Sequence, residues 1–180
     1  EPVQGEGGVR PASQEFLQGL RDLCDEKGIL LMFDEVQVGS GRTGKLFAHQ
    51  NYGVEPDTCS MAKALGSGVP IGAVCARGEA ALTLTPGTHG STYAGHPVTC
   101  AASLAVLREM KRIDAPANAK KVGDYFAAEL AKMPHVVEVR HRGLFVGVQL
   151  EEGINAVEVK RHCIKNHFLV TAIGSSVIRM

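Results

Sequence analysis

The pattern of apolar and polar positions changes period along the chain. From Ser13 to Gly28, the apolar residues Phe16, Leu17, Leu20, Leu23 and Cys24 recur at helical spacing, which predicts one amphipathic helix. Ser13 suits the N-cap, and Lys27-Gly28 suits the stop. Ile29 to Phe33 is continuously apolar, as in a strand covered on both faces, and it runs into Asp34-Glu35. Asp57 to Met61 and Ile71 to Ala76 read as further short strands, and Pro86 to Pro97 reads as loop. A helix runs from near Pro97 to about Arg112, with the proline in its first turn. Ile113 to Asn118, containing Pro116, reads as a hinge. In the next helix Val122, Tyr125, Phe126, Leu130 and Met133 form one apolar stripe. Val136 to Arg140 and Leu144 to Leu150 pair as antiparallel strands about His141-Arg142-Gly143. Asn155 to Asn166 is helical; Phe168 to Ile173 and Val177 to Met180 are strands. The pattern therefore gives an α/β unit over 1–113 and a small α+β unit over 114–180.

Composition narrows the class. Nineteen basic residues balance nineteen acidic ones, which speaks against a nucleic-acid partner bound through a broad basic face. No apolar run approaches the ~20 residues of a membrane-spanning helix. The five cysteines include no C-x-x-C pair, so free thiols in a reducing cytoplasm are the simplest reading. The seven histidines are scattered, and no metal site is inferred. The chain begins at Glu1 without an initiator methionine and stops at Met180 straight after an apolar run. These ends point to a piece of a longer protein.

The chemistry gathers at strand ends. Lys63 is one cation among small and apolar residues, Ser60-Met61-Ala62-Lys63-Ala64-Leu65-Gly66. Crowding penalises the ammonium form and makes the nucleophilic amine accessible. The alternative is a lysine whose stem is buried and whose head reaches water. Asp34 ends the preceding strand, so an acid and a lysine share one rim of a sheet. A pyridine cofactor on Lys63 wants a carboxylate at its ring nitrogen; a helix cap or surface ion pair is the plainer role for Asp34. Val36 suits packing on a flat ring, and Gln37 suits a hydrogen bond to a ring oxygen. Gly39-Ser40-Gly41-Arg42-Thr43-Gly44 matches the dinucleotide fingerprint literally. It does not come directly off a strand, and the residues that follow are too few for the crossover helix.

Several separated motifs carry a resemblance. They are Glu1-Pro2-Val3-Gln4-Gly5-Glu6-Gly7-Gly8, Phe33-Asp34-Glu35-Val36-Gln37, Gly41-Arg42-Thr43-Gly44, Ala62-Lys63-Ala64-Leu65-Gly66, Gly87-Thr88-His89-Gly90-Ser91-Thr92-Tyr93 and Val177-Ile178-Arg179. In order and spacing the whole chain resembles the class III pyridoxal-phosphate aminotransferases, on the acetylornithine/succinylornithine branch. The resemblance implies fold type I: the later part of the large mixed-sheet domain, then most of the small C-terminal domain.

The resemblance also implies roles. Lys63 carries pyridoxal 5'-phosphate covalently and moves the substrate proton, and Asp34 pairs with the ring nitrogen. Glu35, Val36 and Gln37 belong to the cofactor-binding turn. Thr92 reaches the cofactor phosphate of the neighbouring subunit, with Ser91 beside the substrate there, so a homodimer shares its sites. Glu6 and Arg179 form a gate that opens for glutamate or 2-oxoglutarate.

The implied activity is transfer of the δ-amino group of N2-acetyl-L-ornithine to 2-oxoglutarate by a ping-pong route, in arginine biosynthesis. Succinylornithine, ornithine and 4-aminobutyrate are alternative donors. An NAD-dependent oxidoreductase and a non-catalytic pseudo-transaminase are the readings from other classes. The family's phosphate-binding helix start, ring-stacking aromatic and α-carboxylate arginine have no counterpart in these residues. The 180-residue piece alone is therefore expected to be inactive.

Overall fold

The structure is a computed structural model and describes residues 1–180. Two short strands, β1 (Val3–Gln4) and β2 (Arg10–Pro11), pair antiparallel at the start. Helix α1 (Gln14–Lys27) follows. Its Ser13 side chain accepts the Phe16 N–H, and Gly28 closes the helix with a left-handed φ of 64°. Both sequence signals thus have their expected geometry.

A second sheet has the order β3 (Met32–Asp34), β4 (Thr58–Met61), β5 (Ala73–Ala76). β3 and β4 run parallel, with Asp34 opposite Ser60; β5 runs antiparallel to β4. The expectation that Ile29 to Phe33 is covered on both faces is corrected. Leu31 and Phe33 are buried against Leu17 and Cys24 of α1 and Tyr52 and Val54 of the segment before β4, whereas Met32, between them, points to the other face and is 69% exposed. Alternation along a strand sends neighbours to opposite faces, and only one face has a covering layer within these residues.

Helix α2 (Pro97–Arg112) starts on Pro97, as its fixed φ favours. The hinge expected over Ile113 to Asn118 is absent, because helix α3 (Ala115–Leu130) begins at Ala115 and takes Pro116 into its first turn. The missing proline N–H is no loss there. The buried face of α3 matches the expected stripe only in part: Phe126 and Leu130 pack against the core of the second half. Ala119, Gly123 and Ala127 are buried, whereas Val122, Tyr125 and Met133 are exposed. The reason is close approach: a Cβ added at Gly123 would lie 1.9 Å from the Gly143 carbonyl oxygen. Small residues, not large apolar ones, let this helix sit on the next turn.

The last sheet has the order β6 (Val136–Arg142), β7 (Phe145–Leu150), β9 (Val177–Arg179), β8 (Thr171–Ile173). The β6–β7 turn is Gly143-Leu144, one step later than expected. Helix α4 (Ala156–Lys165) is capped by Asn155, whose side chain accepts the Val157 N–H at 2.9 Å. Val146, Val148, Leu150, Val170 and Ile178 form the core of this half. A third cluster of Val3, Val9, Val38, Ala48 and Phe145 joins the two halves. No helix is long and apolar enough to cross a membrane, and all five cysteines are free thiols.

Candidate active site

The halves meet around a cavity of about 430 Å3. Its wall includes Glu6, Val36, Gln37, Arg42, Lys63 and Arg179. Each comes from a different local device, and β3 and β4 supply the first pair. Parallel strands deliver their carboxyl ends to one edge of a sheet, where ligands gather in α/β folds. Asp34 ends β3, and Lys63 follows β4 by two residues.

Lys63 is exposed within this chain, as in the alternative of a lysine whose head reaches water. Backbone geometry distinguishes it instead. Its φ is +46°, a region that costs a non-glycine residue about 1–3 kcal/mol and concentrates at functional sites. A short 3₁₀ turn, Lys63–Leu65, begins there. It aims the side chain into the cavity.

Asp34 is held in one orientation. Its Oδ1 accepts the Val36 N–H at 2.8 Å and the Ser60 hydroxyl at 3.2 Å. The carboxylate is exposed and stands beside the cavity, outside the set of lining residues. Val36 and Gln37 do line it.

Glu35 takes no part in the cavity, which corrects its assignment to the cofactor turn. Its side chain is fully buried. Oε2 accepts the Ala48 N–H at 2.8 Å, and Oε1 accepts the His49 N–H at 2.9 Å with His49 Nδ1 at 3.0 Å. Two neighbours on an extended segment point opposite ways, so Asp34 is exposed where Glu35 faces the core. There it holds the start of the 3₁₀ turn Ala48–Asn51.

That turn, 39–44, does not form a dinucleotide site. Gly41 and Gly44 have φ of 84° and 91°, and only a short 3₁₀ turn, Ala48–Asn51, follows. Its Arg42 is a cavity residue that the motifs alone leave without a role. An arginine set within a glycine-rich turn was the available signal. Phe145, Leu169, Val170 and Thr171 also line the cavity. They come from the second half, and strand pattern alone does not place them there.

Arg179 ends β9 with its side chain 16% exposed. Its Nη1 donates to Glu6 Oε1 at 2.7 Å, with Gln37 Oε1 at 3.4 Å. The structure thus brings together Glu6, Gln37, Lys63 and Arg179. Ser91 and Thr92 lie on an exposed loop and form no part of this cavity.

Two groups of the first half, outside the cavity lining, have displaced acidities. The Arg21 guanidinium beside Asp57, with the Leu31 N–H, holds the Asp57 carboxyl below its usual range. Burial, with Cys75 opposite it on β5, pushes the Cys59 thiol up to about 11. Cys59 is therefore a packing residue at neutral pH, not a nucleophile.

The aminotransferase class-III family model matches residues 1–180. The chain belongs to the class-III aminotransferase family. It is 52% identical over its whole length to acetylornithine aminotransferase 1 of Bordetella pertussis, covering 46% of that protein. It is 43% identical over 99% of its length to the acetylornithine aminotransferase of Methanocaldococcus jannaschii, covering 46% of that one. The chain thus spans about half the length of these curated relatives. Among solved structures, it superposes on the ornithine aminotransferase from Toxoplasma gondii, crystallized in the presence of oxidized glutathione, with a TM-score of 0.92 and 35% identity. The match covers 99% of this chain and 44% of that one, whose active site shows partial occupancy of PLP. The fold is that of the fold type I pyridoxal-phosphate enzymes.

Proposed function

We propose that the full-length protein is an aminotransferase that moves the δ-amino group of N2-acetyl-L-ornithine to 2-oxoglutarate in two half-reactions on one site. Arginine biosynthesis in the cytoplasm is its setting, and a homodimer is its working form. One observation carries the reading. Arg179 stands between Glu6 and Gln37 at the wall of the cavity that also holds Lys63.

Pyridoxal phosphate fits the residues present. Lys63, Val36 and Gln37 line the cavity and offer an amine, an apolar surface and a hydrogen-bonding amide. Asp34 keeps Oδ2 free of the contacts that hold Oδ1. The volume lies in the usual range for small-molecule sites. When bound, the cofactor supplies an electron-withdrawing ring that takes up the electron pair of the substrate Cα–H bond.

This chain's residues do the rest. Asp34 would keep a proton on the ring nitrogen, Gln37 would hydrogen-bond the ring oxygen and Val36 would pack on the ring face. Lys63 Nζ would hold the cofactor covalently and, when free, would take the proton from the substrate Cα. With Glu6 on Arg179 the subsite is neutral and takes the acylated end of the amine donor. With Glu6 withdrawn, Arg179 holds the side-chain carboxylate of 2-oxoglutarate, which the planar guanidinium suits. Glu6 is largely exposed and its one hydrogen bond is to Arg179. A pair of this kind is worth at most ~1 kcal/mol, so an incoming carboxylate can displace it. Ser91 and Thr92 serve the partner subunit's substrate and cofactor phosphate.

The test is a donor panel on the full-length protein with 2-oxoglutarate as acceptor. Acetylornithine should give the highest kcat/KM among acetylornithine, succinylornithine, ornithine and 4-aminobutyrate. A preference for ornithine or 4-aminobutyrate would overturn the assignment. Borohydride should fix the cofactor to Lys63, and a Lys63→Ala protein that still formed the adduct would sink its role.

A further inference from the structure

A row of four residues crosses the last sheet in register. Arg140 on β6 is opposite Gly147 on β7, Gly147 is opposite Arg179 on β9, and Arg179 is opposite Thr171 on β8. Residues directly opposite one another share a face of a sheet. The loop that carries Glu6 lies across this row at Gly147. A Cβ there would come within 2.8 Å of both the Gly8 carbonyl oxygen and Val9 Cβ. Glycine is what allows the backbone of the loop to rest on the strand.

The loop is strained where it crosses. Val9 has a φ of +53°, a conformation that a β-branched residue rarely adopts. Something must hold it, and two things do. Val9 is fully buried beside Val3, Val38 and Phe145. Arg140 supplies the other: its Nε donates to Gly8 O at 3.1 Å and Val9 O at 3.2 Å, and its Nη2 donates to Gly8 O at 2.9 Å. This side chain is 10% exposed, and its remaining Nη1 pairs with Glu138. Charge-assisted bonds of this kind are the stronger class. Arg140 therefore grips the loop on one side of Gly147, while on the other side Arg179 grips Glu6.

We propose that Arg140 is a positioning residue that clamps the Gly8–Val9 backbone over Gly147 and so sets the balance between closed and open forms of the Glu6–Arg179 pair. It touches no reacting atom. Its effect is on which substrate the subsite accepts: a firm clamp favours the neutral form for the amine donor, and a loosened one leaves Arg179 free for a dicarboxylate. The kinetic part rests on the function proposed above; the clamp itself does not.

The experiment uses Arg140→Gln, Arg140→Lys and Gly147→Ala in the full-length enzyme. Lysine keeps the charge but cannot bridge two carbonyls as a guanidinium does. Gly147→Ala pushes the same loop away without touching Arg140. Amide exchange is read at Gly8 and Val9, whose N–H groups donate to Gly5 O. Exchange should speed up there and stay unchanged across β6 and β7. The Michaelis constant for the amine donor should rise about tenfold, the equivalent of one lost charged hydrogen bond. The Michaelis constant for the oxo-acid acceptor should hold or fall, and the dicarboxylate probe glutarate should inhibit more strongly. Arg140→Gln should add nothing further to Glu6→Gln.

Equal rises in both Michaelis constants, or full additivity with Glu6→Gln, would overturn the proposal. So would unchanged exchange at Gly8 and Val9 in Gly147→Ala and whichever Arg140 variants fold. Faster local exchange in a protein that does not use the amine donor would leave the clamp standing and refute the functional reading instead.

Discussion

Asp34 and Glu35 are adjacent carboxylic acids with opposite fates. Asp34 is exposed, fixed by Val36 and Ser60. Glu35 faces the core and holds the start of the Ala48–Asn51 turn. Glu35→Gln replaces an acceptor by an NH2 group in front of backbone donors. The expected loss is about 1–3 kcal/mol, the cost of leaving buried polar groups unsatisfied. It should appear as a lowered denaturation midpoint, with cofactor affinity little changed in the protein that remains folded. A weakened cofactor with unchanged stability would return Glu35 to the binding turn. As a motif, the run from Asp34 to Gln37 looks like one unit. The alternation of side chains along extended backbone divides it.

At the scale of elements, the contacts that fix positions are few and specific. Asp57 joins three elements: it accepts from Arg21 of α1 at 2.8 Å and from the Leu31 N–H at 2.8 Å, and it lies 3.9 Å from Arg77 beyond β5. Its carboxyl is held below the usual range by Arg21 first and the Leu31 N–H second. The folded value lies below the unfolded one, so the stabilisation is complete above the ordinary carboxylate range of about 4 and fades as pH falls through the folded value. Asp57→Asn should thus be less stable than the parent at neutral pH, and urea titrations should show the gap narrowing below about pH 4. A gap that widened in acid would contradict the cause given.

The packing of α3 on the Gly143 turn allows a sharper test. Alanine at Gly123 improves helix propensity by about 1 kcal/mol, but its Cβ meets backbone, which cannot yield as a flexible side chain does. Overpacking costs about 1–3 kcal/mol or more, so Gly123→Ala should be net destabilising in chemical denaturation.

At the scale of the molecule, two cores are joined by a third. The Leu17-to-Cys59 cluster belongs to the first half and the Val146-to-Ile178 cluster to the second. Phe145 is the one residue of the second half in the bridging cluster, and it also lines the cavity. The Leu144 N–H donates to Arg42 O at 3.0 Å beside it. Phe145→Ala should cost about 3–5 kcal/mol, typical of a buried phenylalanine. It should also weaken cofactor retention, because the same side chain holds both halves against the site. A thermal scan and the visible spectrum of the full-length protein check the two effects. Between α2 and α3 the backbone is a two-residue joint, Ile113-Asp114.

The sequence by itself determined the local devices. Ser13, Gly28, Pro97 and Asn155 act through bonds to residues a few positions away, so they are legible without the fold. The motifs holding Lys63, Asp34 and Gln37 were legible through their resemblance to the class-III aminotransferases, whose family model matches the chain. The tertiary structure decided whatever depends on contacts between distant segments. It buried Glu35, exposed Met32 and Val122, and gave Lys63 its strained backbone rather than a crowded pocket. It also set Arg140, Gly147 and Arg179 in one row beneath the Glu6 loop. Strand register is fixed by pairing across the sheet, and no periodicity within one strand reports it.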